Sequence, residues 1–533
     1  MTKTVTTGKA TDLITFTRST TGTYLDSVKY GDELVTNGTF DTDSDWIFQT
    51  GKNWTISNGK LNAANSTGYT KQNGVVENNK TYKVTLDAVV TSGSFRVVTT
   101  ADPSTYTSYI TTSGSYVFII SPVSSVSGGF EFIGTGFTGS IDNVSVKEII
   151  GNQGTSGEPL LRTANTNEPR IEYDADGNLK GLLIEEQRTN LVSDSEDMIV
   201  PFGRLTSEST TSPTGETTAN SWKISDQTSG YWYNYAPINS GTTYTASVFV
   251  KLPTEANNAG LRYVRLQSQT TFPLTRAVFD LQTGTQTSAD AGLVGSSITP
   301  CGNGWYRISI TDTATSTTSG GSFSFVLFPA ANSSGLTWTQ TSDMVGKYLL
   351  HTFGWQTEAG SFPTSYIPTS GSTVTRNADV ASINVSEFEF VQQHGTLIVE
   401  GTRPYAMNTS ESYASLAQSN TNRFTLYIQG ITNLVNGYTR GQTGTNVLVG
   451  STANIGGFDK WGMTYHTQDG FVLAVNGSQE DTATTANADF VGKTALWIGN
   501  AFSGATEFCN GHIKSVKYYP LKLTENQLKA LTL

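Results

Sequence analysis

The feature that most constrains this chain is a period of two that rarely stops. "TYKVTLDAVV" (81–90), "TYTASVFVKL" (243–252) and "WYRISITDT" (305–313) alternate apolar and polar residues over short runs. Successive side chains on a strand point to opposite faces, so the pattern suits half-buried strands. Similar runs recur almost throughout, separated by Gly, Asn, Asp and Ser clusters that favour turns. Helical spacing is convincing only in "LTENQLKAL". There Thr524 and Gln527 form a capping box, and Leu528 and Leu531 stand at i, i+3. The expectation is an all-β fold.

At 533 residues the chain is long enough for several domains. Only 14% of residues are charged, against about 25% in ordinary soluble domains. Thr, Ser, Asn and Gly fill the difference, which suits β surfaces joined by many turns. The net charge is −11, with no dense run of Lys or Arg. Nucleic acid is therefore excluded as a partner, because a phosphate backbone requires a basic stripe. No apolar run approaches the roughly 18 residues of a membrane span, so no membrane insertion is expected. "MTKTVTTGKATDLITF" has no apolar signal core. Cys301 and Cys509 fit neither a metal spacing nor a disulfide framework, which favours folding in a reducing cytoplasm. His351, His394, His466 and His512 show no paired-ligand pattern.

The chain repeats itself. "ELVTNGTFD" (33–41) and "NLVSDSEDM" (190–198) each open a block, and each block continues with a "TY" strand and a second aromatic β run. Two copies of one β-sandwich account for this. "ITFTRSTTGTYLDS" (14–27) reads as half of a connecting module whose partner is delayed to 168–191, with the first sandwich inserted between them. Such insertions cost little, since closure entropy grows only logarithmically with loop length. "GNQGTSGEP" (151–159) reads as the return linker. A last block opens at "HGTLIVEGTRP" and carries Asp469-Gly470 and Asn476-Gly477 hairpin turns. The expected division is a connector over 1–32, an inserted jelly roll over 33–150 and connector strands over 151–191. A second jelly roll over 192–370, a linker over 371–393 and a final sandwich over 394–533 complete it.

Residues 394–533 resemble the concanavalin A-like lectin/glucanase fold in its laminin-G-type form. The resemblance rests on "DGFVLAVNGSQ", "LWIG" (496–499) and "GHIKSVKYYPLKLTENQL". "FTRSTTGTYLD", "PRIEYD", "GLLIEEQRTNL" and "YIPTSGSTVTRNAD" are similar to a connector of bacteriophage tail and virion proteins. "LVTNGTFDTDSDW" and "IDNVSV" resemble carbohydrate-binding-module jelly rolls. The resemblance implies a virion structural protein, a tail fibre or fibre-like chain, that binds host-surface polysaccharide without catalysis. It would be made in the host cytoplasm, carried on the particle alongside other virion proteins, and assembled as a homotrimer. A virion polysaccharide depolymerase and a passive head or tail decoration or adaptor protein are the alternatives.

Glu185 and Glu186 are the obvious candidate acid pair. As strand neighbours they point to opposite faces, whereas a glycosidase needs two carboxylates facing each other at roughly 5–9.5 Å. The structural reading buries Leu182 and Ile184, pairs Arg188 with a glutamate and uses Asn190 to turn into the next sandwich. "SEFEF" (386–390) lacks the third acid of the glucanase signature and reads as an edge strand with Phe388 and Phe390 packed inward. Aromatic platforms for sugar rings are sought at Trp46 and Trp54, and at Tyr231, Trp232 and Tyr233 of "GYWYNY". Within that strand Tyr231, Tyr233 and Tyr235 share one face and Trp232 takes the other. By resemblance to jelly-roll modules, Asn37, Asp41 and Asp142 are candidate ligands of a structural Ca²⁺.

Overall fold

The computed structural model describes residues 4–6, 14–25, 28–77, 80, 82–99, 102–107, 109–120, 122, 128–152, 161–173, 179–200, 203–269, 271–320, 323–404, 409–430, 432, 434–440, 446–454, 458–483, 492–503 and 506–533. The alternating runs become antiparallel strands, and the protein is all-β. Three sandwiches form in tandem, each around its own core.

The first is built on two long strands, Tyr82–Thr99 and Gly128–Asn152, which pair antiparallel with repeated register shifts. Each shift bends the ribbon, so one strand can serve both layers. Its core is aromatic, with Trp46, Trp54, Phe95, Phe130, Phe132 and Phe137 inside. The second sandwich stacks a six-stranded sheet on a five-stranded one. The six-stranded sheet runs Leu205–Thr210, Ala219–Ile224, Tyr348–Ala359, Thr243–Lys251, Trp305–Thr313, Gly295–Gly302. The five-stranded sheet runs Trp232–Tyr235, Phe323–Ala330, Tyr263–Ser268, Arg276–Asp280, Thr285–Ala289.

The third sandwich is assembled from distant pieces of chain. Strand Thr15–Thr17 pairs with Val380–Asn384, which pairs in turn with Ala495–Ile498. On the opposite sheet Ile171–Tyr173 pairs with Leu179–Ile184, which pairs with Gly511–Tyr519. Phe16, Leu182, Ile184, Ala381 and Ile383 share one core with Trp461, Tyr413 and Met463. Segments expected as connector and linker therefore contribute strands to the C-terminal sandwich. The reason is the same alternation that marks every other strand: their apolar faces need cover, and the sheets offer unpaired edges. The inserted sandwich leaves through paired stems, Gly22–Leu25 against Leu161–Ala164. Most of the expected return linker, 153–159, lies outside the described residues.

The turn chemistry follows the sequence. Asn476 (φ 47°) and Gly477 (φ 78°) form the two-residue turn between Gly470–Val475 and Ser478–Ala483. The C-terminal helix Glu525–Thr532 carries the Thr524–Gln527 capping box and buries Leu528. "SEFEF" departs from expectation. Residues Val385–Glu387 form a 3₁₀ turn as the chain leaves one sheet for the other. Glu387 and Glu389 are exposed, while Phe388 and Phe390 do pack on Tyr518, at 5.2 and 5.6 Å between ring centroids.

Candidate functional site

The stretch around Glu185 is a junction of ionic side chains brought together by strand ends. Arg18 follows Thr15–Thr17, Arg170 precedes Ile171–Tyr173, Glu185 follows Leu179–Ile184, and Asp379 precedes Val380–Asn384. Arg376 closes Val374–Arg376, a strand paired with Arg188–Asn190. All five side chains are buried. Arg18 Nη1 donates to Asp379 Oδ1 at 2.9 Å, and Arg170 Nη2 donates to Asp379 Oδ2. Arg170 Nη1 and Arg376 Nη1 both reach Glu185 Oε2 at 2.7 Å. The Ser365 N–H and hydroxyl donate to the same carboxylate at 2.8 and 2.6 Å.

Three arginines against two carboxylates leave one positive charge in excess. Backbone carbonyls absorb it. Arg18 donates to Thr20 O, Asn165 O and Glu168 O, and Arg376 donates to Glu186 O. Burial alone would push the Glu185 pKa up. Arg376, Arg170 and Ser365 outweigh it and bring the group down to about 2. Glu186 points the other way, to Arg188 at 2.5 Å. Asn190 is buried and bridges into the second sandwich, donating to Ile367 O at 2.9 Å and accepting from Thr357 N at 3.1 Å. The two glutamates thus hold domains together.

A cleft of about 220 Å³ opens beside this cluster, between the second and third sandwiches. His512 Nε2 meets Glu172 Oε2 there at 2.7 Å, and Lys180 Nζ reaches the same oxygen at 3.1 Å. Burial pushes Glu172 upward, but Lys180, His512 and the Leu25 N–H together hold it well below the usual carboxylate range. Burial lowers the His512 pKa against the pull of Glu172. Glu172 is held as an anion, so His512 Nε2 carries a proton and donates to it. In the C-terminal sandwich Glu411 is clamped by Arg403 Nε at 2.9 Å. Burial raises its pKa to about 7 against that pull.

An aromatic face lies on the outer side of the five-stranded sheet. Trp232 enters the core beside Phe325 and Leu327. Alternation sends Tyr231, Tyr233 and Tyr235 to the other side, where Tyr231 and Tyr233 are half-buried and Tyr235 is exposed. Their ring centroids step at 6.0 Å from Tyr231 to Tyr233 and 5.7 Å from Tyr233 to Tyr235. Phe328, from the neighbouring strand, adds a fourth ring 5.3 Å from Tyr231. Arg204 lies over Tyr231 at 5.6 Å and Arg265 over Phe328 at 4.5 Å. Arg265 and Phe328 were not picked out in the sequence, although "YVRLQS" and "FSFVLF" carry the alternation that puts both on this face.

The other expected platform residues are in cores. Trp46 stacks on Phe132 at 5.6 Å, and its indole N–H donates to Asn37 O. Trp54 packs on Phe137 and donates to Gly68 O at 3.0 Å. Trp232 is 0% exposed. All three fall on the inward phase of their strands or turns, so none presents a ring to a ligand. The residues expected as calcium ligands each make local hydrogen bonds. Asn37 Nδ2 donates to Thr42 O and Ser44 O, which turns its amide N–H groups, not its oxygen, toward those acceptors. Asp41 accepts from Thr39 Oγ1, and Asp142 accepts from the Asn143 N–H. Among the described residues no three His, Cys, Asp or Glu side chains are gathered as a metal set. No described helix is long and apolar enough to cross a membrane.

Fold and faces together define a tandem β-sandwich protein. Residues 402–529 match the model of the concanavalin A-like lectin/glucanases superfamily. The match falls within the C-terminal sandwich, which is similar to that superfamily over these residues. No curated protein matches the sequence. Among solved structures, the CBM40 domain of the Ruminococcus gnavus IT-sialidase, bound to alpha2,3 sialyllactose, is similar. It shares 17% identity over 26% of this chain and 83% of that one, with a TM-score of 0.24. A pentraxin from Limulus polyphemus shares 13% identity over 26% of this chain and 70% of that one, at a TM-score of 0.22. The tandem CBM22 domains of Paenibacillus barcinonensis Xyn10C share 10% identity over 63% of this chain and 98% of that one, at a TM-score of 0.21.

Proposed function

We propose that this chain is a structural, fibre-like component of a phage particle that binds host-surface polysaccharide and performs no chemistry. The observation that carries the binding role is the row Tyr231, Tyr233, Tyr235 and Phe328 on the outer face of a sheet. Sugar rings present apolar C–H faces, and flat amphipathic rings accept them at little entropic cost. The phage-like connector motifs support the particle assignment. The buried charge cluster into which they fold suits a part that must keep its domains in fixed relation.

A binding role rather than hydrolysis is supported by how the acids are used. Glu185 and Asp379 are both committed to Arg170 in the interior, and Glu172 is held by Lys180 and His512. A single weak site, at a millimolar Kd, is worth only about 4 kcal/mol. Several copies raise avidity by about 10²–10⁴, so we assign a homotrimer. Binding of the full chain to purified host capsule tests the reading. Y231A/Y233A is expected to lose at least tenfold while its melting temperature holds, and wild-type chain is expected to release no reducing ends. Equal binding by the variant overturns the assignment of this face. Turnover of capsule moves the protein to the depolymerase class.

A further inference from the structure

The same face carries a charge pattern that neutral sugars do not need. Four arginines decorate it. Arg262 is neutralised by Asp280 at 2.7 Å and Arg276 faces Asp290 at 3.7 Å. Arg204 and Arg265 have no carboxylate within ion-pair distance among the described residues. Each spends one N–H on a backbone carbonyl: Arg204 on Ser229 O at 3.0 Å, Arg265 on Gly335 O at 2.8 Å. Arg265 Nε is buried without any partner. A guanidinium has five donors, so most of each fork is uncommitted. The two cations bracket two rings in one row: Arg204, Tyr231, Phe328, Arg265. Ring contact fixes a guanidinium without consuming its hydrogen bonds.

In a chain of net charge −11, two unneutralised arginines on one aromatic face form a local exception. Burial and the neighbouring Arg276 push the Arg265 pKa down, and Asp290, already facing Arg276, offsets this only in part. We infer, resting on the glycan-binding reading, that this face selects anionic saccharides. The rings hold sugar faces, while Arg204 and Arg265 take carboxylate or sulfate groups at the two ends. Two cations are too few for the phosphate density of nucleic acid, which favours a glycan with spaced charges.

The test is an array of uronate-containing, sulfated, sialylated and neutral oligosaccharides, probed with full-length chain. Soluble polyglutamate and single-stranded RNA serve as competitors. Acidic glycans are expected to give the hits, with affinity falling as salt rises. Arg204→Ala with Arg265→Gln, which keeps the stem over Phe328, is expected to lose at least tenfold on those hits. The corresponding carboxyl-reduced or desulfated glycans should bind wild type and this variant alike. Hits confined to neutral glycans, or unchanged acidic binding by the variant, overturn the inference and leave the tyrosine platform standing. Absence of any hit overturns both. Displacement by polyglutamate or RNA at equal charge concentration overturns the assignment to saccharides.

Discussion

Replacing Glu185 by Gln removes one charge and no volume. The structure gives the cost in two ways. First, a carboxylate held at about 2 instead of 4.5 contributes about 3 kcal/mol at neutral pH. Second, removing one partner of a buried pair typically costs about 3–5 kcal/mol, because it leaves uncompensated charge inside. Here Arg170 and Arg376 each lose one carboxylate partner, with Asp379 left to face three guanidinium groups. For a cooperative unit of about 150–250 residues, a loss near 3 kcal/mol lowers Tm by about 6–12 °C. The pH dependence is a second signature. The folded-state pKa lies below the unfolded one, so the contribution is complete above about pH 4.5 and disappears as pH falls toward 2. E185Q should therefore lose less stability than wild type across that window. Calorimetry at pH 7, 4.5 and 3, following the transition that contains the C-terminal sandwich, measures both effects. A pH 7 loss below about 1 kcal/mol, or identical acid slopes, would refute the claim that this carboxylate anchors the junction.

Other outcomes follow from the same structure. Trp232→Ala should destabilise the second sandwich by about 3–5 kcal/mol in urea unfolding, since it empties a fully buried site. Tyr235→Ala, at an exposed position, should stay within about 0.5 kcal/mol in the same assay. Native protein should resist thiol reagents until denatured: Cys301 and Cys509 are both buried, and burial pushes the Cys301 thiol up to about 12. Gly477→Val should lower Tm measurably, because φ is +78° and a Cβ would meet Leu533 Cδ1 at 2.5 Å.

The class of fold was legible because alternation is a local property, and so were the capping box and the Asn476-Gly477 turn. The split of "GYWYNY" into one core ring and three outward rings was equally visible, since strand geometry dictates it. Which aromatic residues face inward elsewhere was not. Trp46 sits in an irregular segment, where period two gives no phase, while Trp54 opens the four-residue strand Trp54–Ser57, whose alternation buries it with Ile56 but is too short to say which face is the core. The charge cluster was hidden for another reason. Arg18 and Asp379 are 361 positions apart, and no local pattern links them. A trace existed all the same. In a chain with so few charges, "FTRS", "EPRIEYD", "IEEQRTN" and "VTRNAD" each set an arginine or acid beside apolar strand residues. The status of the connector was missed because its strands are short, and their partners lie on the far side of two other domains.

That long-distance closure orders events during synthesis. The inserted sandwich has its strands by Asn152 and can finish early. Arg18 and strand Thr15–Thr17 must wait for a stretch of chain that emerges 361 residues later. At about 5–20 residues per second this is roughly 20–70 s. Throughout that interval Phe16, and later Leu182 and Ile184, have no native cover. The C-terminal sandwich thus closes only after strands Ala495–Ile498 and Gly511–Tyr519 have emerged, and its early apolar faces need cover until then.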